Sequence, residues 1–68
     1  MTKKQLAESI NWKKTWDELT ALEKNNFLIM HDIDKLPEKD IALVKRLFAT
    51  DKKIVETKGI EKLDIYIS

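Results

Sequence analysis

The apolar positions of this chain keep two rhythms. Up to about Ala49 they recur at helical spacing, whereas after Gly59 the tail Leu63-Asp64-Ile65-Tyr66-Ile67 alternates, the period of a half-buried strand. Thr2, ahead of Lys3-Lys4-Gln5, caps a short helix running to about Ser9, with Leu6 and Ile10 as its buried stripe and Asn11 at its end. Thr15-Trp16-Asp17-Glu18 matches a capping box, in which the hydroxyl and the carboxylate reciprocally satisfy orphan amides at a helix start. Apolar residues then fall at Trp16, Leu19 and Leu22.

A single helix from there to Leu36 would place Glu23 and Asn26 in the middle of the face formed by Trp16, Leu19, Phe27, Met30 and Ile33. Burying them without partners is costly. A break at Lys24-Asn25-Asn26 removes the conflict and predicts helices over 15–24 and 26–35. A second capping-box match, Thr20-Ala21-Leu22-Glu23, allows a shifted boundary.

Leu36-Pro37-Glu38-Lys39-Asp40 is the clearest punctuation, because proline disfavours helix before it and suits the first helical position after it. A helix follows to about Thr50-Asp51, with Ile41, Val44, Leu47 and Phe48 as its inner stripe and Lys39, Lys45 and Arg46 facing solvent or a partner. The β-branched run Lys53-Ile54-Val55-Glu56-Thr57, joined through Lys58-Gly59-Ile60-Glu61 to the alternating tail, reads as a β-hairpin. The predicted architecture is therefore mainly α, three or four short helices followed by a C-terminal β-hairpin in winged-helix-like order. An all-α helical bundle is the alternative. The expected core comprises Trp16, Leu19, Phe27, Met30, Ile33, Ile41, Val44, Leu47, Ile65 and Ile67.

Length narrows this picture: a chain of 68 residues is read as a single small domain, 1–68, with a thin core that leaves about 3–5 kcal/mol of net stability. The absence of cysteine and the polar opening MTKKQLAESI predict a cytoplasmic protein without a signal peptide. No apolar run approaches the ~18 residues of a membrane span, so no membrane partner is expected. Thirteen basic residues against twelve acidic ones give a net charge of +1, too balanced for a nonspecific nucleic-acid binder. Their placement is uneven, with basic ends around an acidic middle that holds Asp17, Glu18, Glu23, Asp32 and Asp34.

Candidate chemistry is sparse. His31, Asp32 and Asp34 form the one cluster of histidine with carboxylates, yet zinc takes three or four nitrogen or sulfur ligands and this chain has one histidine and no thiol. Neither a nucleophile nor an oxyanion donor accompanies the cluster, so no catalytic residue, metal or cofactor is expected and the chain reads as a non-enzyme. Trp12 and Trp16 flank Lys13 and Lys14, and Trp16 joins the core stripe, which leaves the Trp12 indole to anchor a partner. The run Phe27-Leu28-Ile29-Met30 is apolar all round one turn, so Leu28 needs cover from a C-terminal strand or a second subunit. The expected partner surface is therefore Trp12, Lys13, Lys14, Phe27, Leu28 and Asp32.

Helices followed by a two-stranded wing form the order of winged-helix DNA binders, and Gln5 through Thr15 resembles the first helix and turn of a helix-turn-helix. That resemblance implies a DNA-binding regulator, with residues 38–49 in the major groove and Lys39, Lys45, Arg46, Lys53, Lys58 and Lys62 as its nucleic-acid contacts. Asp51, Glu56 and Glu61 interleave with these cations and dilute the stripe. The function expected first is a regulatory or adaptor protein that docks on another protein or on a second copy of itself, a description that small phage- or plasmid-encoded modulators share by analogy of size. DNA-binding regulation is the alternative.

Overall fold

The computed structural model describes the backbone of residues 2–67 and the side chains of residues 2–63. Four helices follow one another: α1 (Lys3–Glu8), α2 (Ala21–Met30), α3 (Ile41–Lys58) and α4 (Ile60–Ile67), with single 3₁₀ turns at Trp16–Glu18 and Glu38–Asp40. No strand occurs among the described residues. The expected C-terminal β-hairpin is thus replaced by helix, and the all-α alternative describes the fold.

The reason lies in α3. Ile54 and Val55 continue the inner line of Val44, Phe48 and Asp51 at helical spacing, and both pack against the core. Extending a formed helix adds about one hydrogen bond per residue fixed, and the β-branched penalty of a few tenths of a kcal/mol is small beside burial. Gly59, at φ 90°, stops the helix: its N–H donates to the carbonyls of Ile54 (3.2 Å) and Val55 (3.1 Å), and α4 starts at the next residue. The tail pattern fits a helix as well as a strand, since Ile60, Leu63 and Ile67 stand at i, i+3 and i+7. Leu63 is buried, while the Ile65 and Ile67 side chains of the expected core lie outside the described residues.

The N-terminal half corrects the helix boundaries. Thr2 caps α1 and closes a box with Gln5, Thr2 N–H donating to Gln5 Oε1 (2.9 Å) and Gln5 N–H to Thr2 Oγ1 (3.1 Å). At Thr15 the Glu18 carboxylate accepts from the Thr15 N–H (3.1 Å) and hydroxyl (2.9 Å), but the chain turns extended at Leu19 after one 3₁₀ turn. The helix starts at the second box instead, where Thr20 N–H donates to Glu23 Oε1 (3.1 Å) and Glu23 N–H to Thr20 Oγ1 (3.2 Å). It then runs unbroken through Lys24-Asn25-Asn26, so the expected helices at 15–24 and 26–35 become a single turn and one helix. With no helix directly after the first turn, the helix-turn-helix likeness of Gln5 through Thr15 does not extend to the structure.

At its far end α2 closes in a Schellman motif. Ile33 N–H donates to Leu28 O (2.8 Å) and Asp32 N–H to Ile29 O (3.0 Å), with Asp32 in the left-handed region at φ 58°. Lys3 lies 3.6 Å from Asp32 and Ser9 bonds Asn26, so α1 runs antiparallel to α2. Helix α4 packs on both α1 and α3. Inside, Trp12, Trp16, Phe27 and Phe48 form the centre of one apolar cluster that also takes in Leu6, Ile10, Leu19, Met30, Val44 and Leu63. Ile33, Ile41 and Leu47 pack at its edge.

Candidate functional site

Trp12 is inside, at 6% exposure. Because residues 9–15 are not helical, the two tryptophans do not stand side by side on a helix surface. The Trp12 ring stacks on Phe48 at 5.4 Å between centroids and meets Phe27 edge-on at 6.4 Å. Its indole N–H donates to Ala7 O at 2.9 Å, which satisfies the polar end of the ring in the core. Phe27 is fully buried and Leu28 is buried too, without a strand or a second subunit. The residues expected at a partner surface thus divide. Trp12, Phe27 and Leu28 hold the interior, whereas Lys13 and Asp32 are exposed and Lys14 is half-buried.

Lys14 belongs to a polar centre built on Glu23. The Glu23 carboxylate accepts from Asn11 N–H (2.8 Å), Thr20 N–H (3.1 Å) and Lys14 Nζ (3.1 Å). The backbone donor of Asn11, then that of Thr20, holds its pKa at about 2, with Lys14 adding to them and burial opposing. Nearby, Asn26 Nδ2 donates to Ser9 Oγ (2.8 Å), whose own proton goes to Leu6 O (2.6 Å). The two polar residues on the inner face of α2 therefore carry partners from α1 and the turn after it, which removes the cost that would have broken the helix.

His31 and Asp51 join α2 to α3. His31 Nε2 lies 2.5 Å from Asp51 Oδ2, both side chains are largely buried, and the imidazole rests against Phe27 at 4.7 Å. Among the described residues no group of three metal-ligating side chains forms around them. The pairing also draws the Asp51 carboxylate away from the outer surface of α3.

Two outward faces remain. On α2, Leu22 is 68% exposed and Ile29 49% exposed, two helical turns apart with exposed Asn25 between them. On α3, Arg46 and Lys53 lie on the line opposite Val44 and Phe48, with Lys45 and Lys52 on the flank toward the 3₁₀ turn. Lys45 stands 3.5 Å from Asp17, and Lys52 Nζ donates to Lys14 O at 3.2 Å. Between the turn and α3 these side chains rim a cleft of about 250 Å³ floored by Trp16, Phe48 and Ala49. Of the cations expected to contact nucleic acid, Lys45, Arg46 and Lys53 share the exposed side of α3. Lys39 sits in the 3₁₀ turn before it, Lys58 at its end and Lys62 on α4.

The sequence marked Leu22 as an apolar position after Trp16 but not as part of the expected core; its exposure follows from the burial of Glu23, Asn26, Phe27 and Met30, which turns Leu22 outward on α2. No helix of the described residues is long and apolar enough to cross a membrane. No protein-family model matches the chain, and no curated protein or solved structure is significantly similar to it.

Proposed function

We propose that this protein is a non-enzymatic regulatory or adaptor protein that docks on another protein through the outer face of α2. The observation that carries the reading is an inversion on that helix: Glu23 and Asn26 are buried with partners, while Leu22 and Ile29 stand in solvent. Two aliphatic side chains at i and i+7 are the anchors of a helix lying in an apolar groove. Asp32, one turn past Ile29, and Asn25 between the anchors give that stripe a polar border. The non-enzymatic part of the reading is supported by His31 and Asp51, whose mutual bond bridges two helices inside the fold.

Capture of partners from host extract by the wild-type chain and by a Leu22→Asp/Ile29→Asp variant, both after nuclease treatment, tests the proposal. Loss of a captured protein in the variant is expected, since anchor side chains contribute about 2 kcal/mol or more each. The same captured proteins at the same yield in both samples would remove α2 as the docking face. Sedimentation of the purified chain distinguishes a second copy from a different partner.

A further inference from the structure

We infer that the outer face of α3 is a binding site for the backbone of duplex DNA, held by Arg46 and Lys53 with Lys45 and Lys52 beside them. This goes beyond the docking reading and rests on a different surface.

Four of the five cations on this helix stand as two adjacent pairs, 45–46 and 52–53, separated by seven residues or about 10 Å along the axis. The sequence interleaves Asp51 and Glu56 with them, but Asp51 is turned inward to His31 and is only 3% exposed. Glu56 is then the one carboxylate at the surface of α3 among the described residues. The diluted stripe of the sequence becomes a cationic face in the fold. Lys45 is tied only to Asp17 at 3.5 Å, an exposed pair that water and a phosphate readily exchange.

Shape agrees with charge. Ala42, Ala49 and Thr50 lie exposed beside the cations, so small side chains line most of the approach to a flat or grooved polyanion, with Leu43 exposed one turn before Arg46. The helix is about 27 Å long, and the major groove of B-form DNA, about 12 Å wide, admits an α-helix. An acidic protein is the other polyanion such charge would attract. Protein interfaces, however, centre on buried aromatic or aliphatic anchors and are poor in lysine, whereas Leu43 is the large apolar side chain exposed here. Wet, polar and strongly cationic surfaces are the kind that meet phosphate. Asp17 borders this face through Lys45 and Glu18 lies within electrostatic reach of Lys52, so Arg46 and Lys53, on the line opposite the core, carry most of the attraction for a polyanion.

The test is fluorescence anisotropy of a labelled DNA duplex of ~20 bp, titrated with the intact chain from about 50 to 200 mM salt. Four neutralised phosphates predict a slope of log K against log salt near −3.5. An Arg46→Gln/Lys53→Gln variant, checked for unchanged helicity by circular dichroism, is expected to lose tenfold or more in affinity at the low-salt end and to flatten the slope by about 2. A Leu22→Asp/Ile29→Asp variant should bind the duplex at least as well as wild type after allowance for its added charge, so the two proposals fail separately. The inference is overturned if the duplex does not bind at low salt, or if the Arg46/Lys53 variant binds it unchanged. Displacement of the duplex by an equal charge of poly-glutamate would overturn it in favour of an acidic protein.

Discussion

Helices α2 and α3 meet through Phe27 and Phe48, 5.6 Å between ring centroids, and through His31 and Asp51, yet they treat polarity in opposite ways. Helix α3 has the ordinary arrangement, with Val44, Phe48 and Val55 inward and Lys45, Arg46 and Lys53 outward. On α2 the inner face includes Glu23 and Asn26, and the outer face includes Leu22 and Ile29. Burial of the first pair is made tolerable by donors from Asn11, Thr20 and Lys14 and by the Ser9 hydroxyl. The second pair stands outside the apolar cluster, Leu22 at 68% exposure and Ile29 at 49%. Leu43 on α3 is 46% exposed, close to the value for Ile29, so the contrast rests on the buried polar pair of α2 and on Leu22: α2 places polar groups inside and an aliphatic one outside, and carries apolar surface beyond what its fold uses.

The largest effect should come from the ring stack that both helices share. Trp12→Ala removes an indole packed on Phe48 and Phe27 and is expected to cost about 3–5 kcal/mol, comparable to the whole stability of a domain this size. Urea unfolding followed by far-UV circular dichroism should show a chain largely unfolded before denaturant is added. A variant that keeps its cooperative transition would place Trp12 outside the core. Next, Asp51→Ala leaves His31 without its partner at the α2–α3 contact, and should lower the unfolding free energy by about 2–3 kcal/mol. In a double-mutant cycle with His31→Ala the two losses should not add, whereas additive losses would show that the contact does not couple the helices.

Glu23 sharpens the comparison through pH. Its folded pKa of about 2 lies below the ordinary value of 4.5, so the unfolded chain takes up its proton first and the contribution of this group is present above about 4.5. That contribution is lost as the pH falls from 4.5 toward 2. Glu23→Gln is expected to cost about 1.5–3 kcal/mol at pH 7 and to show a smaller fall in stability over that acid range than wild type. Identical acid profiles would mean that the bonds from Asn11 and Thr20 do not hold the carboxylate. A smaller effect of opposite sign is expected at Asp32, where an acidic residue occupies the left-handed position at a helix C-terminus. Asp32→Gly should raise stability by about 0.5–1 kcal/mol, read as a higher denaturant midpoint at unchanged slope.

What the sequence could tell follows the reach of each interaction. The boxes at Thr2 and Thr20 and the glycine stop are local, and the first two are legible as three-residue spacings. The same spacing at Thr15 produces one 3₁₀ turn, because the chain must straighten at Leu19 to bury both Trp16 and Leu19. Glu23 and Asn26 read as a reason to break the helix because their partners, Asn11 and Ser9, lie 12 and 17 residues away. His31 finds Asp51 at a separation of 20, a pairing no local pattern encodes. The hairpin expectation failed for a related reason: the strand-like preference of Ile54 and Val55 is weaker than the packing that continues α3. At the surface, Lys45 and Arg46 were legible as outward residues from the α3 stripe, whereas the exposure of Leu22 and Ile29 follows from the burial of Glu23, Asn26 and Leu28, which no local pattern favours.

The claim that α2 exposes apolar surface its own fold does not use is tested most directly by the unfolding free energy of a Leu22→Lys/Ile29→Lys variant. Surface positions away from specific contacts change stability by about 0.5 kcal/mol or less, so a denaturant midpoint within that margin of wild type is predicted. A loss above about 2 kcal/mol would show that these two side chains help to hold the fold together, and would contradict the account.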